Sequence, residues 1–221
     1  MFILPTRSRP GNLARFAEAY RETGAGAPVC ILLDSDDPNL RDYYALNVPA
    51  TWVFICASRA AVPDRINEAF RIFPSAAWYG LLGDDVVPRT PRWDQILAEA
   101  AGSWGVSYGD DGIQGEKLCT HPVIGGELAR ALGWLCLPGL DFLYVDTTLF
   151  EIGRRLGTLR YLADVSLEHM HPSVGKAPWD AVYDHNQSGC QDRLRFEAWQ
   201  IGKAAGLIER LNIKRKQGGQ L

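Results

Sequence analysis

The chain is poor in the features that mark several common protein classes. It contains no Cys-x-x-Cys pair. Its five cysteines, Cys30, Cys56, Cys119, Cys136 and Cys190, are odd in number and widely spaced, which argues against a zinc knuckle and a disulfide framework. Cysteines in apolar runs act as small buried hydrophobes, and this usage fits a reducing compartment. No apolar stretch has the length to cross a bilayer, and Met1-Phe2-Ile3-Leu4-Pro5 is too short for a signal-peptide core. A cytoplasmic protein without a membrane partner is expected. Positive charge is not in excess: 23 Lys and Arg against 26 Asp and Glu leave a net charge of −3. Nothing in that balance marks a nucleic-acid coat or a membrane-surface protein. The only basic cluster, Lys214-Arg215-Lys216, reads as a helix end whose cations complement the dipole. There are four histidines, fewer than a histidine-built metal hydrolase usually needs. Internal repeats are absent.

What is present is a large apolar fraction, 47% of the 221 residues, with seven Trp and eight Tyr. Continuous apolar runs alternate with helical periodicity. Residues 2–5, Val29-Cys30-Ile31-Leu32-Leu33 and Thr51 to Cys56 read as buried strands. Helices with apolar faces follow, one through Leu13, Phe16, Ala17 and Tyr20 and one through Ile66, Ala69, Phe70 and Phe73. This pattern predicts an α/β fold with a mostly parallel central sheet covered by helices on both faces. In the second half, Thr90-Pro91 is expected to open a helix as N-cap and first residue. Phe142-Leu143-Tyr144-Val145 is expected to be a strand ended by Asp146, and Tyr161 to Met170 to be extended. One last helix, about 191–211, carries Leu194, Ala198, Ile201, Ala205 and Ile208 as a seam that could pack on the domain or pair two subunits.

Acids fall at the expected strand ends: Asp34-Ser35-Asp36-Asp37, Asp84-Asp85 and Asp146. Two adjacent carboxylates repel and resist desolvation, and a divalent cation would relieve both costs. Glu168-His169-Met170-His171 places two imidazoles on one face of an extended segment. Carboxylates with imidazole suit Mn²⁺, and carboxylates with phosphate oxygens suit Mg²⁺. Each motif also has a plain structural reading. Asp34 and Asp36 could form an Asx-turn before Pro38, Asp84-Asp85 a solvated turn, and Asp146 a helix cap.

The order of these pieces over about residues 2–185 resembles the glycosyltransferase A (GT-A) fold, in particular family 2-like glycosyltransferases of bacterial and phage type. The resemblance rests on Leu4-Pro5-Thr6-Arg7-Ser8-Arg9-Pro10, Asp34-Ser35-Asp36, Arg65-Ile66-Asn67-Glu68-Ala69, Gly83-Asp84-Asp85, Val145-Asp146-Thr147-Thr148-Leu149 and His169-Met170-His171-Pro172. It implies a Rossmann-like nucleotide-diphospho-sugar transferase with a nucleotide-sugar donor and Mn²⁺ or Mg²⁺. Carried over residue by residue, Pro5, Thr6, Arg7 and Arg9 hold the donor, Asp34 and Asp36 contact its base and ribose, and Asn67 contacts the donor from a helix. Asp84-Asp85 stands for the family's D-x-D motif with its spelling altered. Asp84 is then on the ribose side and Asp85 on the metal, with His171 or His169 closing the metal shell. Asp146 is the general base of an inverting transfer, although Val145 stands where the family has another acid. Lys176 neutralises diphosphate charge, and Trp179 and Asp180 follow in a loop that could close over the donor.

The resemblance divides the chain into a transferase domain at 1–185, with a donor half at 1–103 and an acceptor half at 104–185, and a helical extension at 186–221. The extension could support a homodimer. The acceptor is a hydroxyl on a saccharide, a small molecule or a modified DNA base. Trp93, Trp104 and Trp134 are expected to flank it. Two other readings are compatible with the sequence. One is nucleotidyl transfer on a related scaffold, although Pro5 to Gly11 holds a single glycine where a phosphate loop would be glycine-rich. The other is a nucleotide- or sugar-binding module without catalysis.

Overall fold

The computed structural model describes residues 1–185 and 190–218. Residues 186–189 and 219–221 of the expected extension lie outside the described residues. In chain order the elements are β1 (Phe2–Pro5), α1 (Pro10–Glu22), β2 (Val29–Asp34), α2 (Leu40–Tyr44), β3 (Val53–Ala57), α3 (Val62–Ile72), β4 (Trp78–Leu81), β5 (Val86–Pro88) and α4 (Trp93–Ala101). They continue with β6 (Val106–Asp110), β7 (Val123–Gly125), α5 (Gly126–Leu132), α6 (Val145–Leu156), β8 (Leu159–His169), α7 (Ala181–His185), α8 (Cys190–Gly202) and α9 (Ala204–Gly218).

The sheet order is β3-β2-β1-β4-β7-β6-β8-β5. The first four strands run parallel, β7 is antiparallel to both β4 and β6, and β6 and β8 are parallel. The first strand shows why the sheet is apolar on both faces. Phe2 and Leu4 pack with Leu13, Phe16 and Trp93 of α1 and α4, whereas Ile3 packs with Ile66 and Phe70 of α3 on the other side. A strand covered by helices on both faces needs an unbroken apolar run, which is how the sequence reads there. At Gly109 the β6–β8 register shifts. A Cβ at Gly109 would stand 2.3 Å from the Val165 carbonyl, so only glycine permits that approach.

The second half departs from the sequence expectations at three places. Residues 142–144 form no strand. Tyr144 adopts a left-handed conformation (φ 66°) and α6 begins at Val145, so Asp146 lies in the first turn of a helix rather than at a strand end. Likewise α4 begins at Trp93, after a left-handed Arg92. Thr90 does not cap it, because its hydroxyl bonds Ser166 N and Asp164 O of β8 instead. Finally, the C-terminal helix is two helices, α8 and α9. Their packed residues are Phe196, Trp199, Ala204 and Leu211, which join the core beside α5 and α6. Most of the expected seam faces outward, with Leu194 53% and Ile201 87% exposed, while Ile208 packs partly on the core. Arg215 of α9 donates to the Leu156 carbonyl and so caps the end of α6. Among the described residues, no helix is long and apolar enough to cross a membrane.

Candidate functional site

The carboxyl ends of β1, β2 and β4 open into one cleft of about 950 Å³. In an open α/β sheet this is where ligands bind. Of the residues picked from sequence, Pro5, Thr6, Arg7, Arg9, Asp34, Asp84, Asp85, Asp146, His169 and His171 all line it.

The loop after β1 is drawn tight. Ser8 is held at φ 57°, while Asp37 accepts from its amide at 2.7 Å. Left-handed conformations at residues other than glycine cost energy and recur at functional sites. Arg7 binds Asp34 at 3.0 Å and Asp36 at 2.6 Å. Asp36 is exposed and does not line the cleft itself. Arg9 donates one nitrogen to Asp84 at 3.1 Å and two to Asp180 at 2.6 and 2.8 Å. Its guanidinium lies 4.0 Å over the Tyr183 ring.

Asp84 and Asp85 form the turn between β4 and β5, and both are buried. Asp84 accepts from Thr6 Oγ1 at 2.7 Å. Burial, reinforced by the charge of Asp85, raises its pKa to about 6, against the opposing pull of Arg9 and Thr6. Asp85 has the opposite balance. Burial pushes its pKa up, but His169 and the Tyr183 hydroxyl, 2.7 Å from Oδ2, hold it well below the usual carboxylate range. Gly83 permits this packing, since a Cβ there would meet Asp85 Oδ1 at 2.6 Å.

His169 ends β8 with Nε2 3.3 Å from Asp85 and Nδ1 3.8 Å from Asp111. Burial opposes its protonation, but the two carboxylates raise its pKa to about 9. His171 stacks edge-on against His169 at 5.2 Å. Its Nδ1 is already committed to Ser173. His169 is therefore the imidazole beside Asp85.

Two donors bound at right angles to one ion at about 2.1 Å sit about 3 Å apart. The Asp85–His169 pair, 3.3 Å apart, matches that spacing, and once an ion displaces the proton that His169 holds between the carboxylates its carboxylate–imidazole chemistry fits a Mn²⁺-like ion. Among the described residues, no group of three or more His, Cys, Asp or Glu side chains is placed to hold a metal ion. An ion here would take its other ligands from phosphate oxygens and water, as Mg²⁺-type ions on nucleotides do.

Asp146 lines the same cleft from the first turn of α6, with Oδ1 accepting from Thr147 N at 2.7 Å. Burial raises its pKa, which makes it a stronger base once ionised.

Besides Asp36, two sequence-picked residues are not brought to the cleft. Asn67 is buried behind it. Its amide bonds the Cys136 carbonyl and the Leu135 and Cys136 amides, at 2.8, 2.9 and 3.0 Å. Lys176 pairs with Glu168 at 2.8 Å and does not line the cleft. Trp93, expected near the acceptor, is fully buried against Phe2 with ring centroids 4.6 Å apart. Neither Trp104 nor Trp134 lines the cleft.

Other side chains at the site were not among the site residues picked from sequence. His121 is buried with its ring 5.1 Å from that of His169, and burial lowers its pKa to about 4. Its Nε2 has no hydrogen-bond partner. Asp111 binds three loop amides and Thr120 as well as facing His169. Arg65 lines the cleft near Asp34, buried, with its Nε unpartnered. An orphaned buried donor is rare and calls for a ligand or water. Only tertiary packing brings these groups to the site.

No protein-family profile and no curated protein sequence matches the chain. Solved structures do. A mannosyltransferase from Pyrobaculum calidifontis, in complex with GDP-Man and Mn²⁺, matches with TM-score 0.57 and 12% identity over 96% of this chain and 72% of its own. The fold is GT-A-like. A protein from Desulfovibrio desulfuricans G20, provisionally assigned as a nucleotide-diphospho-sugar transferase, matches over 98% of this chain and 96% of its own, with TM-score 0.51 and 12% identity. A CMP:2-keto-3-deoxy-manno-octonic acid synthetase complexed with CTP also shares the fold, with TM-score 0.51 and 12% identity over 90% and 98% of the two chains. Nucleotide-sugar transferases and a nucleotidyltransferase are thus both similar in fold to this chain.

Proposed function

We propose that this protein transfers a sugar from a nucleotide-diphosphate sugar to an acceptor hydroxyl. The observation that carries the proposal is that one cleft collects an anion-binding group and a candidate base. Arg9, Asp84, Asp85 and His169 lie on its wall, and Asp146 lines it as well.

In this reading Arg65 and Asp34 face the base and ribose, and Arg7 and Arg9 face the diphosphate, whose charge an arginine fork fits. Arg9 is already paired with two carboxylates. A diphosphate entering the cleft exchanges with Asp180 for the Nε and Nη2 donors. Asp85 and His169 would hold a divalent cation, which when bound neutralises the leaving diphosphate. Asp146 takes the proton of the acceptor hydroxyl as its oxygen bonds the anomeric carbon and the bond to the diphosphate breaks. Attack from the side opposite the leaving group inverts that carbon.

The CTP-complexed synthetase among the fold neighbours supports a second reading, nucleotidyl transfer. Product analysis separates the two. A panel of nucleotide-sugars should release nucleoside diphosphate, and Asp146→Asn should abolish that release while nucleotide still binds. Pyrophosphate release from a nucleoside triphosphate and a sugar phosphate, with no diphosphate release from any nucleotide-sugar, would overturn the first reading in favour of the second.

A further inference from the structure

The stretch between Leu140 and α6 is a rigid construction that displays apolar side chains. Asp192 of α8 is 2% exposed and accepts from the amides of Asp141, Phe142 and Leu143, each at 2.8 Å. The next residue, Tyr144, is held left-handed and stacks on Phe196 of α8 at 5.2 Å. A bulky residue with positive φ is a true outlier, and a buried carboxylate spent on three loop amides fixes that loop in one shape. Yet Phe142 and Leu143, the residues so fixed, are each 37% exposed. Both line the cleft, and Asp146 follows within one turn.

A saccharide acceptor presents hydroxyls on most of its faces, and each must find a partner once buried. The side chains here offer few. Asp141 is paired with Arg195 at 2.6 Å and Thr120 with Asp111 at 2.9 Å. Trp179, another lining residue, is itself 49% exposed and aromatic.

We infer that the 141–144 loop is the acceptor platform, and that the acceptor carries its reacting hydroxyl on or beside an aromatic ring that lies against Phe142 and Leu143. The chemistry assigned to that hydroxyl rests on the glycosyl-transfer reading, but the platform itself is testable without turnover. α8 acquires a role in this scheme: its Asp192 and Phe196 hold the acceptor loop in place.

The probe is 7-hydroxycoumarin, a fluorescent phenol, titrated against the full chain and followed by fluorescence anisotropy. Saturable binding is expected. The Phe142→Ala/Leu143→Ala variant should weaken it about tenfold, the effect of losing a stacked ring and its buried area. Phe142→Leu keeps an apolar side chain and removes the ring, and it should weaken binding about threefold. Thermal stabilisation by a nucleoside diphosphate should be the same in wild type and double variant. Absence of saturable coumarin binding, or equal affinity in wild type and both variants, overturns the inference. Coumarin binding without any nucleotide response would leave the platform standing and instead refute the donor reading.

Discussion

Replacing Asp84 by Asn should stabilise the ligand-free protein, and only at the pH where Asp84 is ionised. Burial and the neighbouring Asp85 raise the Asp84 pKa from 3.8 to about 6. The folded state therefore binds this proton more tightly than the unfolded chain does. The contribution is fully present below pH 3.8 and is lost as the pH rises through about 6. At 1.36 kcal/mol per pH unit, ionised Asp84 destabilises the fold by about 3 kcal/mol at most. Asn has no proton to lose and can still accept from Thr6. For a chain of this size 1 kcal/mol corresponds to about 2–4 °C in Tm, so the variant should gain up to about 6–12 °C over wild type at pH 8 and almost nothing at pH 4. The assay is thermal unfolding of both proteins from pH 4 to pH 8, without nucleotide or metal. The decisive quantity is the difference between them, because acid effects at other groups cancel. A difference that does not grow with pH, or a wild type that is the more stable at pH 8, would refute the reasoning.

Further outcomes are expected at the neighbouring residues. Gly83→Ala should displace the Asp85 carboxylate, because the new Cβ would stand 2.6 Å from it. Overpacking of this kind costs about 1–3 kcal/mol, and titration calorimetry should show at least tenfold weaker Mn²⁺-dependent nucleotide binding. Arg65→Met keeps the side-chain volume and removes the unpartnered Nε, so nucleoside-diphosphate affinity should fall about tenfold, as for loss of a charged hydrogen bond; unchanged affinity would remove Arg65 from the donor site. Asn67→Ala should lower stability by about 2–4 kcal/mol in denaturant titration, since two amides and a carbonyl lose their partner. Nucleotide affinity should be unaffected, which distinguishes its structural role from the donor contact that the family resemblance implied.

The first half of the fold was legible because buried parallel strands leave a strong local trace. Phe2 to Leu4 and Val29 to Leu33 are unbroken apolar runs, and acids end the strand at Asp34 and follow the one at Leu81. The second half was not. Phe142-Leu143-Tyr144-Val145 has the composition of a strand, but Asp192, far along the chain, takes the amides of Asp141, Phe142 and Leu143 and turns the segment into a helix entry. The outward seam of α8 has the same origin. Phe196 and Trp199 bury more area than Leu194 and Ile201 could, and they claim the packed face. At the site, sequence order was enough to bring Arg9, Asp84, Asp85, Asp146 and His169 to one cleft. His121, Asp111 and Tyr183 join them only through tertiary contacts, which no local pattern encodes. Asn67 shows the converse, since a position that matches a family motif is taken up entirely by backbone partners.

The central claim is that the Asp84-Asp85 turn and its neighbours bind a nucleotide diphosphate together with a divalent cation. Thermal unfolding against a panel of nucleoside diphosphates, with and without Mn²⁺, tests it most directly, because a ligand that binds only the folded state must stabilise it. One nucleoside diphosphate should raise Tm more with Mn²⁺ than without, and Asp85→Ala should erase the metal-dependent part. No metal-dependent shift with any nucleotide, or a shift that survives Asp85→Ala, would contradict it.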